Sequence, residues 1–155
     1  MEAEKIFEVF WDGPFEWRKG IKDCKEHHVL YQVYGYHPLY GSNVLLYIGS
    51  SHTSVKKRLK EHEWWLDEEW EDTQVRLGSI REFTTWRSQE VKKRWPKRSK
   101  ITIEAIEALL IYANQPVYND RNKSDAKKAK GIRIFNNGRL GQLLPEVSHK
   151  YFLGE

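Results

Sequence analysis

Two helical segments carry charged side chains inside stripes that should face a protein core. From position 55 onward, a rotation of about 100° per residue places Val55, Leu59 and Leu66 on one narrow helix face. His62 falls inside that face, and Arg58 lies at its edge one turn earlier. This segment therefore predicts an imidazole and a guanidinium beside buried apolar side chains.

The second charged side chain is Glu107, in the middle of a stripe formed by Ile103, Ile106, Leu110 and Ile111. Burying a carboxylate without a partner is costly, so such a group pairs with a cation, binds a metal ion or takes part in a reaction. The sequence therefore indicates a chemical site to which two helices contribute.

The elements that position these residues can be read from the periodicity. Residues 28–36 and 44–49 are rich in β-forming side chains and predict two strands joined through residues 37–43. A helix is predicted from an N-cap at Thr53 or Ser54 to about Leu66. Residues 73–83 predict another strand, and Lys100–Asn114 predicts a helix that ends at Gln115-Pro116.

The flanking segments are shorter and less regular. Residues 6–11 predict an edge strand followed by a turn at Asp12-Gly13-Pro14. Residues 15–25 predict a brief helix that packs Trp17 and Ile21 inward. Residues 120–131 predict a surface loop, and residues 132–138 a terminal hairpin with Asn137-Gly138 as its turn pair. The expected fold class is α+β, with a small central antiparallel β-sheet flanked by helices.

Composition limits the class of protein. The chain has 155 residues, 39% hydrophobic and 14% aromatic, which excludes intrinsic disorder, and its longest apolar run, residues 44–48, cannot span a membrane. We expect no secretory leader, and the single cysteine, Cys24, fits a reducing cytoplasm. A net charge of +4 favours a nucleic-acid partner only weakly.

The order of the motifs resembles one family. The motifs are Val29-Leu30-Tyr31, Leu46-Tyr47-Ile48-Gly49, Arg58 with His62, Glu107, and Pro116-Val117-Tyr118-Asn119. This order resembles the GIY-YIG nuclease domain, although His28 or Val29 stands where the family has glycine. The resemblance implies one domain over residues 1–155, with a GIY-YIG-like core at about 28–122, an N-terminal extension at 1–27 and a C-terminal hairpin extension at 123–155.

The resemblance implies hydrolysis of DNA phosphodiester bonds with one divalent cation, usually Mg²⁺, for which Mn²⁺ can substitute. Glu107 would ligate the cation, because hard oxygen ligands suit Mg²⁺, and the cation would stabilise the leaving 3′ oxygen. Arg58 would contact the scissile phosphate, to which a guanidinium can donate twice. Electrostatic stabilisation of the growing negative charge is then the main catalytic effect.

The remaining roles concern the attacking water. Tyr31 would hold or deprotonate it, which requires nearby positive charge to lower the pKa of that phenol. His62 would relay the proton, and Tyr47 would complete the hydrogen bonds to water and phosphate. Asn119 would support the metal site or the backbone beneath it. Ser50 stands where some relatives carry a lysine that activates the tyrosine, so the role of His62 gains weight.

Each of these residues has a simpler interpretation when it is taken alone. The tyrosines could be ordinary sheet aromatics, Arg58 a solvated side chain, and His62 a satisfied core histidine, while Glu107 could pair with Arg58. Their joint occurrence favours a site. By contrast, Cys24, His27 and His28 lack a second ligand pair at zinc-site spacing, so we expect no zinc site there.

A dense basic run suggests contact with DNA. Its cations are Lys92, Lys93, Arg94, Lys97, Arg98 and Lys100, and Trp95 lies among them. Cations that neutralise phosphates, with an aromatic ring for stacking, are typical of nucleic-acid surfaces. Lys57, beside Arg58, is a further candidate contact, and Lys127, Lys128 and Lys130 form a weaker one.

The leading functional hypothesis is a DNA endonuclease of restriction or mobile-element type that depends on a divalent metal ion. A homodimer would let two sites cut both strands. One alternative is a structure-specific repair nuclease, and another is a nucleic-acid-binding domain without activity. A third is a subunit of a larger assembly that uses an aromatic surface near Trp64, Trp65 and Trp70.

Overall fold

The computed structural model describes residues 3–62, 72–83 and 97–152. Within them the strands are β1 Lys5–Glu16, β2 Leu30–His37, β3 Gly41–Ser50, β4 Gln74–Glu82, β5 Ile132–Gly138 and β6 Glu146–Ser148. The helices are α1 Trp17–Asp23, α2 Val55–Glu61 and α3 Lys100–Asn114, with 3₁₀ turns at Lys127–Ala129 and His149–Phe152. None of the helices formed by these residues is long and apolar enough to cross a bilayer.

The strands form one mixed sheet in the order β3-β2-β4-β1-β5-β6. The α+β class is confirmed, but the expected antiparallel sheet is wrong, because β1 and β5 run parallel from the pair Lys5 and Ile132 to the pair Trp11 and Gly138. The other strand pairs in the sheet are antiparallel. The direction in which β5 joins β1 depends on a connection of more than a hundred residues, which local patterns do not encode.

The first strand is an interior strand, so its prediction as an edge strand is wrong. It lies between β4 and β5 and continues past the predicted turn to Glu16. The segment from Asp12 to Phe15 shifts the register with β4 without reversing the chain. Gly13 makes this bulge possible, because its φ of 121° is a conformation that other residues rarely adopt.

The sheet separates two apolar cores. Side chains that alternate along β2 point to opposite faces: Leu30 and Tyr34 pack towards α3, and Tyr31 and Val33 pack towards α1 and α2. Trp17 and Ile21 of α1 are buried as predicted. Since α2 and α3 lie on opposite faces, side chains from the two helices can meet only around the β3 edge of the sheet.

Helix α3 has its predicted bounds, and helix α2 begins where it was predicted to begin. Helix α3 spans the predicted residues 100–114, and the Ser54 side chain accepts a hydrogen bond from the Lys57 backbone N–H at the start of α2. Helix α2 ends at Glu61, with His62 as its C-cap, earlier than the predicted Leu66. The last four positions of that prediction lie outside the described residues.

The C-terminal segment belongs to the sheet and the core. Residues 132–138 form one strand that pairs with β6 further along the chain, and Asn137-Gly138 still pairs with β1, so the prediction of a hairpin turn at Asn137-Gly138 is wrong. The buried Asn136 side chain explains why the strand continues, because it accepts from Trp11 Nε1 (3.0 Å) and donates to the Leu144 carbonyl (2.8 Å). The predicted loop at 120–131 contains a 3₁₀ turn and buries Ala126 and Ala129 in the α3 core.

Candidate functional site

A tyrosine and a histidine meet behind the β3 edge. The Tyr31 hydroxyl lies 2.8 Å from His62 Nε2, and the Tyr31 side chain is 0% exposed in the core between β2 and α2. Gly49 is the cross-strand partner of Tyr31, and a Cβ at that position would lie 2.3 Å from the Tyr31 ring. The glycine of Tyr47-Ile48-Gly49 is therefore needed because the phenol occupies the space that any larger side chain would fill.

Tyr47 connects this pair to the surface. Its ring centroid lies 6.0 Å from that of Tyr31 and 5.2 Å from that of His62. The Tyr47 side chain is half-buried and lines an open cleft at the β3 edge, whereas the Tyr31 side chain is enclosed. The two phenols therefore form a path from the cleft to the imidazole.

Glu107 reaches the same cleft from α3. Its carboxylate Oε2 accepts a hydrogen bond of 2.7 Å from the Ser50 hydroxyl at the end of β3. From the sequence, Ser50 was interpreted only as the position where some relatives carry a lysine. Its bond to Glu107 was not predicted, because the two residues are 57 positions apart in the chain. No local pattern could have shown it.

Arg58 extends over the cleft from α2. Its guanidinium donates to Glu61 Oε2 at 2.9 Å and is about half exposed. Among the described residues there is no ion pair between Arg58 and Glu107, so the alternative in which they only neutralise each other lacks support. Arg58 nevertheless influences the pKa values of Tyr31, Tyr47 and Glu107.

The cleft has a volume of about 640 Å³, enough for a phosphate and its neighbours. It brings together the predicted residues Tyr47, Arg58, Glu107 and Asn119, whereas Tyr31 and His62 lie behind its wall. Within the part of the chain that the structure describes, the other charged side chains in its lining are Lys100, Glu104, Asp120, Arg121 and Lys128. Both signs of charge are therefore present around the carboxylate.

Asn119 holds the backbone of the Tyr47-Ile48-Gly49 segment. Its Oδ1 accepts from the Ile48 N–H at 3.0 Å, and its Nδ2 donates to the Ile48 carbonyl at 2.9 Å. The neighbouring Tyr118 N–H bonds to the Leu46 carbonyl at 2.8 Å. Of the two roles predicted for Asn119, the structure shows the contact with the backbone beneath the site.

Burial governs the protonation of both phenols. It raises the pKa of Tyr31 well above its ordinary value, Tyr47 adds to the shift, and Arg58 only partly opposes it. Burial and Glu107 likewise raise the pKa of Tyr47, while Arg58, Arg121 and a hydrogen bond with Tyr31 oppose the shift. The positive charge of Arg58 does not overcome burial, so the condition under which Tyr31 could act as a base is not met, and both phenols stay protonated.

The side chains of His62 and Glu107 also favour their neutral forms. Burial and then Arg58 lower the pKa of His62, so the imidazole is neutral at neutral pH and able to accept a proton from Tyr31. Burial raises the pKa of Glu107, and Glu104 adds to this, although the Ser50 bond and nearby Arg58 and Lys128 lower it. A negative charge on Glu107 is therefore only partly compensated.

The oxygen donors of the cleft fit a hard divalent cation. Among the described residues, only Ser50 is hydrogen-bonded to the Glu107 carboxylate, and Glu104 and Asp120 offer further carboxylates in the same lining. Oxygen-rich, partly hydrated sites suit Mg²⁺ and also Mn²⁺. A cation at Glu107 would stabilise the ionised carboxylate that burial disfavours.

The predicted basic surface is described only in part. Lys57 and Lys97 are exposed, whereas the Arg98 guanidinium packs 5.7 Å from the Phe7 ring centroid and is partly buried. Lys128 lines the cleft. Lys92, Lys93, Arg94 and Trp95 lie outside the described residues, as do Trp64, Trp65 and Trp70.

A separate cluster of possible metal ligands consists of Asp12, His27 and His28, whose ligand atoms lie within 4.8 Å of one another. His28 uses both of its ring nitrogens in the fold: Nδ1 accepts from the Lys25 N–H at 2.9 Å, and Nε2 lies 2.8 Å from Asp12 Oδ2. With Nδ1 accepting, Nε2 carries the proton and has no lone pair for a metal. The cluster therefore ties the β1 bulge to the start of β2.

Comparison with known proteins adds no relative. No family model matches the chain, and no significant match was found among the curated proteins or the solved structures. The likeness to the GIY-YIG nucleases therefore stays a resemblance, based on the order of five motifs.

Proposed function

We propose that this chain hydrolyses phosphodiester bonds of DNA with the help of one divalent cation. One observation carries the proposal: a single cleft is lined by Tyr47, Arg58 and Glu107, and the pair of Tyr31 and His62 lies directly behind it. These side chains come from both faces of the sheet and meet only at the β3 edge. Packing alone does not require a phenol, a guanidinium and a partly compensated carboxylate at one place.

Arg58 is placed to bind the phosphate. Glu61 accepts a hydrogen bond from one of its nitrogens, which helps to fix the side chain, and Tyr31 is a further hydrogen-bond partner of the same guanidinium. The guanidinium is always charged and can donate two hydrogen bonds to phosphate oxygens. Its contribution grows as negative charge builds up on the phosphate during attack.

A relay through the two phenols accounts for the proton of the attacking water. Tyr47 would accept that proton in the cleft while passing its own to Tyr31, which in turn donates to His62 Nε2. No phenolate forms, which agrees with the raised pKa values of both tyrosines. His62 ends as the proton acceptor, and its lowered pKa keeps it neutral and ready before each reaction.

Glu107 would hold the divalent cation, with Glu104 and Asp120 near enough in the lining to bind its water ligands. When bound, the cation supplies Lewis-acid stabilisation of the leaving 3′ oxygen. Ser50 orients the Glu107 carboxylate through its hydroxyl, and Asn119 keeps the strand that carries Tyr47 in place.

A plasmid digest tests the proposal. The purified chain should convert supercoiled plasmid to nicked or linear DNA with Mg²⁺ or Mn²⁺ and not with EDTA. Glu107→Gln should lower the rate by about a thousandfold or more, because several kcal/mol of charge stabilisation are lost. The matched control is Glu16→Gln, which changes an exposed carboxylate at the end of β1 and should leave the rate unchanged.

The outcome also separates the alternatives. A chain that binds DNA but cuts neither DNA nor RNA with either cation is a binding domain, and the proposal is then wrong. Sequencing of the fragment ends distinguishes a fixed recognition site from cutting at flaps or branches. The first result supports the restriction or mobile-element type, and the second the repair type.

A further inference from the structure

An exposed aromatic cluster lies at the tip of the β2–β3 hairpin. It consists of His37, Tyr40 and Tyr118, and we call it the hairpin platform. The His37 ring centroid lies 4.8 Å from that of Tyr40, nearly parallel to it at 26°, and 5.6 Å from that of Tyr118. Tyr40 is 65% exposed and Tyr118 38%, and the neighbouring Leu39 at the tip is 78% exposed. Exposed apolar side chains gathered in this way mark an interaction surface.

Backbone hydrogen bonds hold the His37 ring and the segments that carry the two tyrosines. His37 Nδ1 accepts from the Leu39 N–H at 3.1 Å and from the Tyr40 N–H at 3.2 Å, which closes the turn on the imidazole. Gly41 ends the turn with a φ of 89°, a conformation that favours glycine. Tyr118 is anchored through its backbone N–H to β3. A surface fixed before binding loses little conformational entropy when a ligand arrives.

The platform is continuous with the candidate active site. Tyr118 belongs to the platform and also lines the cleft with Arg58 and Glu107. Arg121, three residues further along the chain, lines the same cleft and acts on the pKa of Tyr47. A strand that leaves the cleft along Tyr118 would reach the other rings of the platform.

From this continuity we infer that the hairpin platform stacks unpaired bases next to the phosphate bound in the cleft. The inference rests on the proposed function and adds a substrate preference to it. Base stacking on aromatic rings accepts every base, but it needs a base face that pairing in a duplex conceals. The chain should therefore prefer DNA with unpaired bases near the bound phosphate over a continuous duplex.

Binding measured without cleavage tests the inference. Fluorescence anisotropy in EDTA compares the full chain on a labelled duplex and on the same duplex with a short unpaired segment. The duplex with unpaired bases should bind about tenfold more tightly, the size expected for stacking of one base. Tyr40→Leu should remove most of this preference while duplex affinity stays the same, and Tyr40→Phe should keep it. Tyr151→Leu, at an exposed tyrosine of the C-terminal 3₁₀ turn, is the matched control and should change neither affinity.

Other outcomes overturn the inference in recognisable ways. If the wild type cuts plasmid and binds both DNA forms equally, the platform does not stack bases, although the nuclease proposal stands. If Tyr40→Leu retains the full preference, another surface reads the unpaired bases. If light scattering shows that Tyr40→Leu dissociates a dimer, the platform is a contact between copies of the chain. If the wild type binds no DNA of either form and cuts none, the proposed function itself fails.

Discussion

The two edges of the sheet hold partly buried glutamates in opposite electrostatic settings. At the β5–β6 edge, Glu4 accepts from Arg133 Nε at 2.6 Å and from the Ser148 hydroxyl at 3.0 Å, and it lies 3.3 Å from Lys150 Nζ. The Arg133 bond outweighs burial, so the pKa of Glu4 is lowered. At the β3 edge, burial dominates and the pKa of Glu107 is raised.

The opposite pKa directions of Glu4 and Glu107 indicate different roles for the two edges of the sheet. Cations that surround Glu4 compensate its charge, and the lowered pKa means that they stabilise its ionised form in the folded chain. Glu107 receives a hydroxyl instead of a cation, so its ionised form is left for a ligand to stabilise. Perturbed carboxylates in clefts are often functional for this reason. Three predictions would sharpen or break the contrast.

The largest of these three effects should come from adding a methyl group to one glycine at each edge. Gly49→Ala places a Cβ 2.3 Å from the Tyr31 ring and displaces the phenols, so cleavage should fall about a hundredfold. Gly138→Ala, at a φ of 73° and 2.6 Å from the Trp11 carbonyl, is the counterpart at the end of β5. It should lower the free energy of unfolding and leave the cleavage rate per folded molecule unchanged. Equal losses of activity in both variants would contradict the assignment of chemistry to the β3 edge.

Only part of the fold could be predicted from local sequence patterns. The helix Lys100–Asn114 was predictable because its apolar stripe and the following Gln115-Pro116 are local signals. The parallel pairing of β1 with β5 was not, since its contacts, such as the Trp11 bond to Asn136, join residues 125 positions apart. Local patterns specify an element, whereas the order and direction of strands depend on distant partners.

The candidate site divides in the same way. Motif order placed Tyr47, Arg58 and Glu107 at one cleft, because each lies within a strand or helix that could be predicted. The direction of the Tyr31 pKa could not be predicted, since burial outweighs Arg58 and burial depends on the packing of the whole core. The Ser50 bond to Glu107 could not be predicted either, because, like the direction of β5, it depends on residues that are far apart in the chain.

The second prediction concerns stability when either glutamate alone is replaced by glutamine. Glu4→Gln should lower the free energy of unfolding by about 2 kcal/mol, because it removes charge-assisted hydrogen bonds from Arg133. Glu107→Gln should not lower it, since an amide can keep the Ser50 bond and removes a charge that burial disfavours. Urea unfolding monitored by tryptophan fluorescence provides the measurement. Similar losses in both variants would mean that Glu107 is a structural residue like Glu4.

The smallest effect concerns the binding of the cation itself. Mg²⁺ at ten times its Kd should raise the free energy of unfolding of the wild type by about 1.4 kcal/mol, as mass action requires for a ligand of the native state. Glu107→Gln should lose this stabilisation, whereas Glu4→Gln should keep it. Thermal unfolding with and without Mg²⁺ gives the comparison.

The pH dependence of the stabilisation by Mg²⁺ shows whether Glu107 or another carboxylate binds the cation. Because the pKa of Glu107 is raised, the native state binds more protons than the unfolded state between the ordinary and the raised value, so stability falls as pH rises through that window. Mg²⁺ competes with this proton, and its stabilising effect should therefore grow as pH rises through the same window. Glu4 has the opposite sign, since its lowered pKa gives stability that is lost as pH falls below the ordinary value. A Mg²⁺ effect that is independent of pH, or that persists in Glu107→Gln, would place the cation elsewhere.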